Sequence, residues 1–273
     1  MKRIALLAIA CLLPGCTEHQ EGEEAVAVQT VPPLPAPPEH SPDLWEGYRA
    51  LLEQFVHQGR IDYAGLKNEE DSLDAVLDAI ATVEPGTLDR PHLVAFWINA
   101  YNAITLKLIL EHIPSIKSIK DIPSGQRWKD ERWVIHGEAY SLDHIEHEIL
   151  RPLGDPRIHF ALVCAALSCP DLRPEPYMPE TLDEQLHDAG ETFLGNREKG
   201  AATAMEEGIF STSPTLRISK IFDWFEGDFE ERAGSVVDFV LAYLPQEEAS
   251  FVRKHRDDLD IAYFDYDWSL NKP

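Results

Sequence analysis

One segment constrains the fold more than any other. Between Asp89 and Pro114 runs PHLVAFWINAYNAITLKLILEHIP. Asp89 is placed to cap a helix at one end, and Pro114 stops it at the other. The segment is apolar almost all the way round, and such a helix is buried on most sides. Everything else must therefore pack around it. Asn99 and Asn102 interrupt the apolar surface, and a spacing of three sets them on one face. A buried amide left without partners costs about 1–3 kcal/mol. The pair therefore implies either a structural polar network or the wall of a site, and Tyr101 lies between its members.

The flanking sequence supplies smaller elements. Ser41-Pro42 opens a helix on which Leu44, Tyr48, Leu51, Leu52 and Phe55 recur at helical spacing. It ends at His57-Gln58-Gly59-Arg60, and Ile61-Asp62-Tyr63 begins a short extended piece. Leu73, Val76, Leu77 and Ile80 mark a second helix. Trp133–Ile135 and Glu138–Tyr140, separated by His136-Gly137, suit a hairpin. Ser141 can cap the helix SLDHIEHEILR, where His144 and His147 share a face; they read as solvated surface histidines. Ile158, Phe160 and Leu162 alternate with His159, Ala161 and Val163, which predicts a strand buried on both faces. Thr181 with Glu184 fits a capping box for a helix carrying Leu182, Leu186, Ala189 and Phe193. A short strand near Leu216–Ile218, helices over SKIFDWFEGDF and 235–244, and a closing strand in LDIAYFDYDWSLN complete the pattern. The class is α+β, with helices packed on a small, mostly antiparallel sheet.

The first residues read as an export signal. Lys2 and Arg3 precede an apolar run, Ile4–Leu13, that is too short to span a bilayer as a helix. Leu13-Pro14-Gly15-Cys16 resembles a bacterial lipobox, with proline where a small residue is usual. The expectation is a signal at 1–15 and lipid on Cys16. A Pro- and Glu-rich tether then covers 16–40, and a single folded domain covers 41–273. Thr17 follows the cysteine, so the expected address is the periplasmic face of the outer membrane. The formal charge of −24 argues against nucleic acid as a partner, since phosphate binding needs basic groups. The acid is spread along the chain and reads as a solvated surface. Oligomeric state is not legible.

Of four cysteines, Cys11 leaves with the signal and Cys16 takes lipid, so Cys164 and Cys169 remain. They flank AALS in RIHFALVCAALSCPDLRP. The pair reads as a reactive site, a disulfide staple for an oxidising compartment, or, with His159, a metal clip whose spacing is not that of a zinc knuckle. No cofactor is expected.

Several stretches in order, IDYAGL at 61–66, FWINAYNAITL, GEAYSLDHIEHEILR, RIHFALVCAALSCPDLRPEPY, LRISKIFDWFEGDF and YDWSLN, resemble the family called domain of unknown function 547. The resemblance spans nearly all of 44–271. It implies a fold akin to papain-like and transglutaminase-like cysteine enzymes. Those place a nucleophilic cysteine at the start of a buried helix, a histidine on a following strand, and an Asn or Asp to orient it. Here the buried helix has no cysteine, His159 matches the strand histidine, and the thiols follow it.

The expected cast has Cys164 as nucleophile, His159 as base and Asn99 or Asn102 as orienter. Ser168, Cys169, Arg173 and Tyr101 are expected as substrate contacts, and the loop N–H groups as an oxyanion pocket. The expected function is a cysteine-dependent hydrolase or acyltransferase acting on amide or thioester bonds of peptides or glutathione-like thiols. The rival expectation is a non-catalytic lipoprotein that binds a ligand or partner, with a degenerate cleft and a Cys164–Cys169 disulfide.

Overall fold

The computed structural model describes residues 44–207 and 212–273. The expected signal, Cys16, the tether and Ser41-Pro42 lie outside those residues. Helix α1 (Glu46–Phe55) buries Tyr48, Leu51, Leu52 and Phe55, the residues whose spacing predicts it. A two-residue hairpin follows, β1 (Val56–His57) and β2 (Arg60–Ile61). Its turn holds Gln58 at φ 50° and Gly59 at φ 73°, the left-handed pair that matches the twist of flanking strands. A Cβ on Gly59 would meet the Asp171 carboxyl at 2.2 Å, so glycine is required there on two counts. The sequence from Ile61 does not stay extended. The Asp62 carboxylate accepts the Gly65 N–H at 2.9 Å and starts α2 (Tyr63–Asn68).

Helix α3 (Glu70–Ala81) leads to α4 (Arg90–His112), the central helix. Asp89 caps it as expected, accepting the His92 N–H at 3.1 Å. Buried residues occupy every side of it from Val94 to Ala103. Its length and composition would suit a membrane span, but 89% of the apolar window is buried inside the protein. A short helix, α5 (Ser124–Arg127), precedes the hairpin β3 (Trp133–Ile135) and β4 (Glu138–Tyr140). That hairpin is as predicted, and its turn again has a positive-φ pair, His136 and Gly137.

Ser141 caps α6 (Leu142–His144), which widens into a π-helical turn over Ile145–Leu150. The segment expected as a strand, 157–163, begins as a 3₁₀ helix over Pro156–Phe160. Pro156 fixes a helical φ at its first turn, and the Asp155 side chain accepts the Arg157 N–H. Burial on both sides arises because the segment is sandwiched between two apolar clusters. Ile158 and Ala161 join the cluster around α4. Phe160 joins a second one, with Phe193, Phe222, Phe229 and Phe239.

Helix α7 (Leu182–Gly195) forms without the expected capping box: Thr181 makes no side-chain cap. Strands β5 (Ala201–Glu207) and β6 (Thr212–Ile218) pair antiparallel. Helices α8 (Ile221–Trp224), α9 (Glu226–Ala233), α10 (Val236–Val240) and α11 (Gln246–Lys254) cover the second cluster. Strand β7 (Asp260–Tyr263) then runs parallel to β6, against the antiparallel expectation. The strands form three small sheets rather than one. The class is α+β.

Candidate active site

The chain after Phe160 leaves its 3₁₀ turn and enters the loop Cys164–Cys169. The asparagines of α4 fix that path. Asn102 donates from Nδ2 to the Ala161 carbonyl at 2.9 Å and accepts the Val163 N–H at 3.0 Å. Asn99 treats Tyr177 in the same way, at 2.8 Å and 2.9 Å. Each amide thus satisfies backbone groups of a segment that has no strand partner. The polar-network reading of the pair is correct. The orienter role is not: neither amide bonds to His159.

The C-terminal residues hold the loop from its other side. Leu167 donates its N–H to the Ser269 carbonyl at 2.8 Å, and Asn271 donates to the Ala165 carbonyl at 3.1 Å. Ser168 accepts the Asp267 N–H through its hydroxyl at 2.8 Å, so it serves the loop rather than a ligand. Asn271 in turn accepts the Tyr63 hydroxyl at 2.7 Å. Ala165 sits at φ 58°, a strained conformation for a residue with a Cβ. These contacts explain why IDY, the thiol loop and YDWSLN stand out together in the sequence, since they are bonded to one another.

Both thiols are free and line a cavity of about 180 Å³. Tyr101, Glu146, His159, Phe225, Tyr266 and Trp268 are among the other residues of its wall. The Cys164 N–H donates to Cys169 Sγ at 2.8 Å, and the Tyr266 hydroxyl lies 3.2 Å from Cys164 Sγ. The two thiols lie close enough to influence each other's ionisation. Burial pushes the Cys164 thiol well up, reinforced by its hydrogen bond to Cys169 and the charge that would gather there. Burial acts the same way on Cys169. There it is outweighed by hydrogen bonds from the Cys164 side chain and backbone, then from Tyr266, and by the Lys199 charge, so the Cys169 thiol is lowered. Lys199 is anchored beside it, with Nζ on the Cys169 carbonyl at 2.7 Å and on Asp171 at 2.6 Å. Cys164, the more exposed of the two, keeps its proton at rest.

The residue that orients His159 is Asp228 of α9. Its Oδ2 lies 2.8 Å from His159 Nε2. The ring stacks on Phe225, with centroids 4.0 Å apart. Arg151 grips the same carboxylate with two bonds, Nε to Oδ2 at 2.7 Å and Nη2 to Oδ1 at 2.8 Å. That guanidinium, and then the bond to His159, hold the Asp228 carboxyl well below the usual carboxylate range. The π-helical turn positions these groups. It ends with the Arg151 N–H on the Glu146 carbonyl. Glu146 and His147 meet the cavity there, and Arg151 reaches Asp228. Such turns inside helices often occur at functional sites. His147 accordingly lines the cavity and bonds Arg151 at 3.0 Å.

Two further expectations change. The loop N–H groups of Cys164, Leu167, Ser168 and Cys169 all have partners within the protein, so those four are not free to serve an oxyanion. The Tyr266 hydroxyl is the donor at hand instead. Burial, and then the neighbouring thiols, raise its pKa well above that of a free phenol, so it stays protonated. Arg173 pairs with Glu175 and Asp188 away from the cavity. Among the described residues no group of three or more His, Cys, Asp or Glu side chains is placed to hold a metal.

Sequence reading missed Asp228, Arg151 and Tyr266. All three lie within the quoted motifs WFEGDF, EILR and YDWSLN, but distance along the chain hid their convergence. The fold and the site together define an α+β protein with a thiol pair and a carboxylate-held histidine on one cavity. Residues 85–194 match the family described as Protein of unknown function, DUF547. That match takes in α4, the π-helical turn, His159 and the thiol loop; Asp228 and Tyr266 come from beyond it. No curated protein and no solved structure matches the chain.

Proposed function

We propose that the protein is a cysteine-dependent hydrolase or acyltransferase acting on amide or thioester bonds. The observation that carries this reading is His159, locked through Nε2 on Asp228 at the wall of the cavity that holds Cys164. With Nε2 protonated toward the carboxylate, Nδ1 is the acceptor nitrogen of the neutral ring. In this reading Cys164 Sγ bonds to the acyl carbon and its proton passes to His159. The carbonyl oxygen gains the charge and receives the Tyr266 O–H. Asp228 stabilises the imidazolium, as the carboxylate of a Ser-His-Asp triad does. Collapse expels the amine or thiol with the proton from His159 and leaves a thioester on Cys164. Water, or an acceptor amine, then gives its proton to His159 and releases the acyl group. The arrangement parallels the papain-like and transglutaminase-like order of roles, with the nucleophile moved from the buried helix to the loop. The lipobox-like LPGC supports anchoring through Cys16 at the periplasmic face of the outer membrane.

A second reading rests on the closeness of the two thiol residues, the Cys164 N–H meeting Cys169 Sγ at 2.8 Å. An oxidised Cys164–Cys169 pair would make the cavity a binding site rather than a reactive one. One comparison separates the two: turnover of a panel of small thioesters and amides by the reduced protein and by Cys164→Ala. The enzyme reading expects turnover to vanish in a variant that melts like the parent. Equal turnover, or none by the reduced parent, would overturn it.

A further inference from the structure

The cavity also carries information about what it binds. Trp224, Tyr266 and Trp268 form a continuous aromatic surface, with ring centroids 4.7 Å, 4.6 Å and 5.7 Å apart. Trp224 is 44% exposed, so a large ring is displayed at the mouth. The charged groups of the wall are carboxylates, Asp143 and Glu146; among the described residues no lysine or arginine lines it. The nearest guanidinium, Arg151, is committed to Asp228. Aromatic faces attract cations and carboxylates reinforce the attraction. The protein itself uses these rings so: Lys120 Nζ sits 3.9 Å over Trp268. A carboxylate-bearing ligand would meet repulsion from both acids of the wall.

We infer that the cavity takes a substrate carrying an ammonium group, held between the Trp224–Tyr266–Trp268 surface and Glu146 while its acyl carbon faces Cys164. This rests on the acyl-transfer reading for the position of the reacting carbon. It narrows the substrate class to amine-bearing peptides or amides and sets aside anionic, glutathione-like thiols.

The test measures binding, so it does not depend on turnover. The full chain carrying Cys164→Ala is titrated with butylammonium, 1-butanol and butyrate at constant ionic strength, following tryptophan fluorescence. Butylammonium is expected to bind about 10-fold tighter than butanol, in the range of a desolvated cation–aromatic contact, and butyrate more weakly than either. Trp224→Leu and Glu146→Gln should each weaken butylammonium about 5-fold without changing butanol. Trp224 is at the surface, so that variant decides the matter if Glu146→Gln misfolds. Equal binding of the three probes, or preference for butyrate, would overturn the inference. Ammonium binding in a protein that shows no turnover would leave this inference standing and remove the acyl-transfer reading alone.

Discussion

Two side chains at the residue scale separate chemistry from architecture. Asp228 is bonded by both Arg151 and His159, so Asp228→Asn removes a charge that two partners use. The variant should lose about 2 kcal/mol of stability near pH 7, the scale of hydrogen bonds to a charged group. The sign with pH follows from the lowered pKa. The contribution is fully present above the ordinary carboxyl value of about 4 and fades as pH falls below it toward the folded-state value. Urea melts of parent and variant should therefore converge in acid; a gap that widens there would contradict the pairing. Turnover should fall by about 100-fold or more, because the base loses its orientation. Tyr266→Phe removes only a hydroxyl. It should keep the fold and reduce kcat by about 100-fold with little change in KM, the loss typical of one oxyanion donor. Unchanged kcat would remove Tyr266 from the mechanism.

At the scale of elements, the asparagines of α4 divide into two jobs that only a contact map reveals. Both clamp backbone, yet Asn102 holds the stretch leading into Cys164 while Asn99 holds Tyr177. Replacing either with alanine leaves a buried N–H and C=O unpaired and should cost about 2–4 kcal/mol. Only Asn102→Ala should also slow modification of Cys164, read by peptide-mapped labelling in conditions where both variants are folded. Equal slowing in both would mean that the effect is global. Much of this layer was legible in sequence: the caps at Asp89 and Ser141, the central helix and the β3–β4 hairpin follow from local chemistry. The 3₁₀ turn at His159 was not. Its alternating residue pattern mimics a strand, and the cause of its burial, two apolar clusters meeting across it, is a property of residues distant in sequence. The parallel pairing of β7 with β6 was hidden for the same reason.

At the scale of the molecule, the cavity lies where the two clusters meet. The α4 cluster supplies Tyr101 and Leu162, and the second supplies Ile221 and, packed against it, Phe225. Sequence reading placed Cys164, Cys169, His159 and Tyr101 on the site, and the fold brings these four together. It also enlisted Ser168 and Arg173, which hold the loop and a surface ion-pair cluster instead. Cleft residues contributed from the far end of the chain, such as Trp224 and Trp268, could be recognised only once the tail was seen bonded to the thiol loop.

The most direct test of the central claim is to trap the acyl-enzyme. The reduced protein is mixed with an activated acyl ester, quenched in acid and mapped by mass spectrometry. The account predicts one acyl group on Cys164, slower to form in His159→Gln and absent in Cys164→Ala. An acyl group on Cys169, or none on either thiol of a folded and reduced protein, would contradict it.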